Sequence, residues 1–486
     1  MTTYLGIDLG TSSSKVVIMD ENQKILASAT RHMDVTRPHP GWSEQEPGQW
    51  IAATTAAIDE LKDKHGTALS RVRGIGLSGH MHGATLLDKQ DRALRPCILW
   101  NDTRSHAEAH ELDSQPLFRE LTGNIVFPGF TAPKLLWVAR NEPGIFANIR
   151  WVLLPKDYLR HWLTGEHASE MSDAAGTSWL DTGNRAWDSR LLEATGLGIE
   201  HMPNLVEGTD VSGTLRPELA GRWGLQPGVV VAGGAGDNAA SACGIGAVAP
   251  GTAFVSLGTS GVLFASNEHY LPNPDSAVHA FCHAVPNTWH QMGVILSATD
   301  SINWLANLTG KDASALTGAL GSELKAPGPV TFLPYLSGER TPHNDAAIRG
   351  AFTGLGHESD STALAKAVVE GVAFAVRDSL EALRKAGTEL GRVTAVGGGS
   401  RSDYWLKVIA TTLNMPVDIP AEGDFGAAFG AARLGFIAAE GADPFLVCQP
   451  PVTERTIEPD AALKDAFANA YETYKRHYLA IKGVQQ

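Results

Sequence analysis

The sequence predicts an α/β protein of two related domains, and three observations carry that expectation. Strand-like and helix-like hydrophobic patterns alternate along the 486 residues. The tetrapeptide Leu-Gly-Thr-Ser at 9–12 returns at 257–260, an offset of 248 residues, flanked by β-rich runs both times. At about 150 residues per domain the length allows two or three cores, and the repeat selects two. A boundary falls near 244–252, where GIGAVAPG brings small residues and a proline together, giving domains 1–246 and 247–486.

The elements follow in order. Residues 4–8 and 15–19 read as strands joined by LGTSSS, with ILAS as the third arm of a meander. Residues 47–64 read as a helix, with Pro47 in its first turn and Trp50, Ile51, Thr54, Ile58 and Leu61 on one face. A strand at 74–78, the loop SGHMHG and strands near 84–87 and 97–100 come next. The second half restarts with strands at 253–257 and 262–266 around GTSG. A long helix at 362–386 sets Leu364, Val368, Val372, Val376, Leu380 and Leu383 in one stripe and stops at Gly387. A strand at 392–396, the loop GGGSRSD, a helix at 403–414 and a strand at 417–419 complete the pattern.

Composition excludes several classes. With 39 basic against 53 acidic side chains, a net charge of −14 and no Lys/Arg run, the chain has the wrong electrostatics for nucleic acid or an anionic membrane. The 51 glycines have no G-X-Y period, so they call for local explanations. Cys97, Cys243, Cys282 and Cys448 lie far apart without CxxC spacing and read as reduced thiols. The N-terminal residues enter a strand directly and no run of about 20 apolar residues exists, so a soluble, cytoplasmic protein is expected.

Four loops carry candidate chemistry. In GIDLGTSSSK (6–15), backbone N–H groups and hydroxyls around Gly10 can turn onto a phosphate, with Asp8 at the strand end for Mg²⁺ and Lys15 as a nearby cation; a plain polar hairpin is the alternative. Its recurrence as SLGTSG at 256–261 suggests two loops clamping a polyphosphate. GGGSRSD (397–403) either admits a ligand close to the backbone or is a tight turn with Ser402 as helix cap. Asp237, just after the glycine turn 233–236, either accepts a proton from a substrate hydroxyl or caps a helix of small residues. In SGHMHG, His80 and His82 share a face if the segment is extended, but no third ligand stands at a zinc spacing. GIGLSG (74–79) formally matches GxGxxG, yet its glycines fall inside a strand that another strand follows, so a dinucleotide site is not indicated. GLSGH lacks the last glycine of a hydrolase elbow, and no P-loop is present.

The stretches TAPKLLWVARNEP (131–143), LLPKDYLR (153–160), SDAAGTSWLD (172–181), HAFCHAVP (279–286) and FLPYLSGERTPHND (332–345) resemble the FGGY carbohydrate kinases, over the chain to about residue 435. That resemblance implies an actin/hexokinase/Hsp70-like (ribonuclease H-like) α/β fold whose active-site cleft lies between two domains, the first binding sugar and phosphate, the second nucleotide. SGHMHGATLLD (78–88) and CILWNDTR (97–104) are most similar to members acting on the ketopentose D-xylulose. By motif, the family implies Asp237 as general base; Met81, His82, Trp100, Asp102 and Asn238 beside the sugar; and Asp8 for Mg²⁺. It also implies Gly10, Thr11, Ser12, Ser13, Lys15, Gly258 and Thr259 on the phosphates of ATP, with Gly398, Gly399 and Asp403 near the adenosine. His80 departs from the pattern, since such members usually carry Gln there. Other ketoses or polyols (L-xylulose, D-ribulose, D-fructose, a pentitol) remain alternatives, as does an ATP switch of the actin or Hsp70 kind. A homodimer is implied by the family alone.

Overall fold

The computed structural model describes residues 1–421 and 423–485. Strand β1 (Thr3–Leu9) runs antiparallel to β2 (Ser13–Asp20), which pairs with β3 (Ile25–His32), forming the expected meander. Helix α1 (Pro47–Leu69) runs past the expected end at 64, through a non-helical His65 (φ −135°, ψ 31°). It returns the chain to β4 (Val72–Gly79), parallel to β1. Helices α2 (Thr131–Asn141) and α3 (Pro155–Thr164) lie in the long insertion that follows. Strands β5 (Val211–Thr214), β6 (Val230–Ala232) and β7 (Ala235–Gly236) complete a sheet of order β5-β6-β4-β1-β2-β3, with β7 also on β4. Helix α4 (Asp237–Ile245) then leaves the sheet.

The second half repeats this plan. Strands β8 (Ala253–Leu257), β9 (Gly261–Asn267), β10 (His279–Cys282) and β11 (Trp289–Ile295) are antiparallel neighbours. After α5 (Thr299–Thr309) and α6 (Ser361–Lys385), β12 (Val393–Val396) joins parallel to β8. Helix α7 (Asp403–Leu413) leads to β13 (Val417–Pro420), α8 (Ala427–Glu440) to β14 (Thr453–Ile457), and α9 (Lys464–Gln485) ends the chain. The sheet order is β10-β11-β9-β8-β12-β13-β14. Each LGTS loop therefore turns the first hairpin of its sheet, and each first strand has a parallel neighbour on its other side.

Strand alternation divides β1 between two faces. Leu5, Ile7 and Leu9 pack with Trp50, Ile58 and Leu61 of α1, and each such buried side chain contributes about 1.5–3 kcal/mol. Tyr4 faces the other way, with Val17 and Met19 of β2, against Ala428, Phe429 and Ala432 of α8. Helix α8, from the second half of the chain, thus lies on the first sheet. Its approach is backbone to backbone: a Cβ on Gly6 would stand 1.9 Å from the Ala428 carbonyl oxygen, and one on Gly76 would stand 1.7 Å from that of Ala431. In the second half, Val368, Val372, Val376, Leu380 and Leu383 of α6 are buried as the stripe predicts, and Asp360 caps the helix by accepting from Thr362 N and Ala363 N. The C-terminal helix α9 adds Phe467, Tyr471, Tyr474 and Tyr478 to the same core, with the hydroxyls of Tyr335 and Tyr474 2.7 Å apart. Among the described residues, no helix is long and apolar enough to cross a membrane.

Candidate active site

Two carboxylates converge at one edge of the first sheet. Asp8 of β1 and Ala235 of β7 both stand beside Ser78 of β4, so the three residues lie abreast on neighbouring strands. At about 4.8 Å per strand, Asp8 and Ala235 are about 10 Å apart along the sheet, and Asp237 begins α4 two residues later. Ser78 is fully buried and donates its hydroxyl to Asp8 Oδ1 at 2.9 Å. Asp237 Oδ1 accepts from the backbone N of Asn238 at 2.7 Å and from its Nδ2 at 2.9 Å. Among the described residues its Oδ2 has no hydrogen bond.

Asp8 and Lys15 are opposite one another across the β1-β2 hairpin. Lys15 is paired with Asp424, two residues before the cap of α8, so the cation expected at the phosphates is shared with a carboxylate of the second half. Within the hairpin loop, Gly10 N donates to Ser13 O at 2.9 Å, the Ser12 carbonyl accepts from Met33 N, and the Thr11 carbonyl from Gln45 Nε2. Trp100, 48% exposed, donates its indole N–H to Thr11 Oγ1 at 2.9 Å. In the matching loop of the second sheet, the carbonyls of Gly258 and Thr259 accept N–H groups from the start of α5 at Thr299 and Ala298. Gly399 packs there too, since a Cβ on it would meet Leu257 Cβ at 2.8 Å and Thr299 Cγ2 at 3.2 Å; around Gly398 there is open space. Ser402 caps α7 by accepting from Trp405 N, and Asp403 is held by Arg455 at 2.5 and 2.8 Å. Between these parts runs a cleft of about 740 Å³, lined by Asn238, Ser256, Gly397, Arg401, Asp424 and Arg455 among others.

The segment carrying Met81 and His82 closes the other side of Asp237. Met81 is 6% exposed, and a Cβ on Gly236 would meet its Cγ at 2.9 Å. His82 takes a left-handed backbone (φ 70°), stacks on Phe130 with ring centroids 4.4 Å apart, and has Nδ1 2.7 Å from the Gly176 carbonyl. That turn corrects the expectation that His80 and His82 share a face: His80 is buried edge-on against Trp50 of α1, on the opposite side of the sheet from α8. The unusual residue at position 80 therefore packs in the core. The fully buried carboxylate of Asp102 accepts from Ser43 N and from three N–H groups of Arg104, which fixes the loop behind Trp100.

Comparison with known proteins identifies the family. Residues 3–244 match the N-terminal domain, and residues 253–439 the C-terminal domain, of the FGGY family of carbohydrate kinases. The chain belongs to that family. The xylulose kinase of Escherichia coli (strain K12) is 49% identical to this FGGY kinase over 478 residues, 98% of each chain. The crystal structure of a xyloylose kinase from Brucella ovis superposes with a TM-score of 0.98 at 65% identity, covering 99% of this chain and 100% of that one. The xylulose kinase from Rhodospirillum rubrum superposes with a TM-score of 0.92 at 29% identity, covering 99% of both. The two-sheet architecture is thus the two-domain FGGY kinase fold.

Electrostatics single out Asp237 within this FGGY kinase. Burial, then the negative charge of Asp8, push its carboxyl up to about 6, against the pull of the Asn238 N–H groups. Burial also raises Asp8, with Ser78 and Lys15 opposing. His82 is held neutral, down to about 3, by burial and by the cations Lys134 and Arg340. Sequence reasoning missed Ser78, Asp424, Lys134 and Arg340 as parts of the site. Lys134 and Arg340 sit in the family stretches 131–143 and 332–345, but only the fold brings Lys134 Nζ within 2.9 Å of the His82 carbonyl and Arg340 over the Phe127 ring at 4.0 Å. Away from the cleft, Asp91, His161 and His167 form a cluster of potential metal ligands. The two imidazoles are stacked 4.3 Å apart at 26°, so their nitrogen lone pairs lie in nearly parallel planes and do not converge on one ion.

Proposed function

We propose that this FGGY kinase transfers the γ-phosphoryl group of ATP to O5 of D-xylulose. The observation that carries the reading is the 49% identity, over 98% of both chains, to the Escherichia coli xylulose kinase. The placement of Asp237 beside Asn238, which lines a large cleft, and within electrostatic reach of Asp8 supports it. Asp237 orients the sugar hydroxyl and takes its proton at Oδ2 as the oxygen attacks phosphorus. A carboxyl near pH 6 suits that task, being mostly ionised at neutral pH yet still basic enough to accept a proton. Met81, His82 and Asn238 border the sugar. With the proton on Nδ1 facing Gly176, neutral His82 keeps Nε2 as an acceptor for a hydroxyl. Residues 1–246 supply these groups and 247–486 the nucleotide side, with α8 reaching across onto the first sheet.

The residues present fit a divalent cation. Asp8 and Asp237 are close enough for the charge of one to raise the carboxyl of the other, and Lys15, opposite Asp8 across the hairpin, is paired with Asp424. Asp8 would hold Mg²⁺, which when bound offsets the charge of the phosphate oxygens. The hairpin loop at Gly10–Ser13, the loop at Gly258–Thr259 and the segment Gly398–Asp403 border the triphosphate and adenosine. The test is ADP release from ATP over pentuloses, hexuloses and polyols, with the product identified. Release that depends on D-xylulose and forms its 5-phosphate supports the reading; sugar-independent release, or preference for another acceptor, overturns it.

A further inference from the structure

Beneath the glycine turn that delivers Asp237 lie five ionisable side chains with no exposed surface: Lys156, Asp157 and Arg160 on α3, then Glu170 and Asp173. Lys156 Nζ stands 2.6 Å from Asp157, 3.3 Å from Asp173 and 3.4 Å from Glu170, and Arg160 Nη1 is 2.7 Å from Asp157. Ser169 adds a hydrogen bond of 2.6 Å to Asp157. Burial pushes the Asp173 carboxyl well above its usual range, against the pull of Lys156. Desolvating such groups costs several kcal/mol per ion, and well-packed apolar residues often do as well for stability. Stability alone does not account for the cluster.

Two of its members reach the turn. Arg160 Nη2 donates to the Gly233 carbonyl. At the other end, Gly236 N donates to Ser172 Oγ at 3.0 Å, and that hydroxyl donates to Glu170 Oε2 at 2.8 Å. Glu170 is fixed in turn by the backbone N of Ser172 at 2.7 Å and of Asp173 at 3.0 Å. Gly233 and Gly234 cannot carry side chains, for a Cβ on Gly233 would lie 2.1 Å from the Glu207 carbonyl and one on Gly234, at φ 75°, 2.2 Å from that of Leu77. Glycine backbone has the most conformational freedom to lose, so its orientation must be imposed from outside.

We infer that Arg160 and the Glu170–Ser172 pair are positioning residues, clamping the turn at Gly233 and Gly236 so that Asp237 is held at the attacking hydroxyl. The inference rests on Asp237 as base, and it is tested by two readouts on the full-length protein with Ser172→Ala and Glu170→Gln. Hydrogen exchange of residues 233–238 without substrate reads the clamp directly; at least tenfold faster exchange is expected in both variants. Steady-state kinetics with D-xylulose should show kcat lower by about 10- to 100-fold, since a shift near 1 Å can cost about 10²-fold, with the KM for ATP unchanged. Wild-type exchange and kcat in both variants would overturn the inference, as would parallel changes in kcat and ATP KM, which mark general loosening. A wild-type enzyme inactive on D-xylulose would instead count against the proposed substrate, while the exchange measurement still decides the clamp.

Discussion

Lys15 and Asp424, 409 positions apart in sequence, form an ion pair that ties the first hairpin to the segment leading into α8. The side chains are 31% and 44% exposed, so the pair is worth only about 0–1 kcal/mol to the fold. Its weight is electrostatic and local, because Asp424 lines the cleft and competes with Asp8 for Lys15. Asp424→Ala should therefore leave the thermal midpoint almost unchanged and lower the KM for ATP several-fold, with the KM for sugar constant. A rise in both constants would show that the pair shapes the cleft instead.

The Asp237 carboxyl at about 6 sets a pH dependence. As base it must be ionised, so kcat/KM should climb about tenfold per pH unit below 6 and level off above it. Asp237→Asn should lose at least about three orders of magnitude in kcat, near the upper end of general-base contributions, with ATP binding retained. Stability carries the opposite sign: the folded group holds its proton from the ordinary 3.8 up to about 6, so its contribution falls as pH rises through that window. The Asn variant should melt above wild type at pH 8 and converge with it near pH 4.

Removing the neighbouring charge should move that profile. Asp8→Asn takes away the like charge that helps raise Asp237, so the acid limb of the residual activity should shift below pH 6. The same variant should need more Mg²⁺ to reach half-maximal rate. An unmoved limb together with an unmoved Mg²⁺ titration would separate Asp8 from both roles.

For His82, held neutral by burial and nearby cations, no limb between pH 6 and 7 should be attributable to imidazole. His82→Ala should raise the sugar KM by at least tenfold and leave the ATP KM within about twofold, the loss of one good hydrogen bond and a ring stack being about 1.5 kcal/mol or more. Equal changes in both would assign the ring to packing.

Gly76→Ala tests the seat of α8. With its Cβ 1.7 Å from a main-chain oxygen, the helix must shift bodily, and the cost should reach or exceed the upper end of ordinary overpacking, about 3 kcal/mol by urea titration. Gly66→Ala in α1 has open space around it and should change stability by about 1 kcal/mol or less.

Short-range patterns made much of this molecule legible in sequence. The meander, the paired LGTS loops, the stripe of α6 and Asp237 at a glycine turn all depend on residues a few positions apart. What stayed hidden depends on pairing across the chain. Ser78 reads as one small residue in a strand until β4 is set parallel to β1, and Asp424 acquires meaning only when α8 crosses onto the first sheet. The motif around Asp102 does not show that the backbone of Ser43, 59 positions away, donates to its carboxylate. The aromatic spacing at 467, 471, 474 and 478 marks one face of a helix, but its docking on Tyr335 follows from the tertiary fold.

The seat of α8 also bears on how the chain is made. Ribosomal synthesis delivers the first sheet long before residues 427–440, yet the glycine-floored face around Gly6 and Gly76 is shaped for that helix alone. Until the helix emerges, the nascent half carries a bare, sticky sheet surface. A fragment cut at residue 246 should aggregate or recruit chaperones, and adding the missing helix in trans should rescue it.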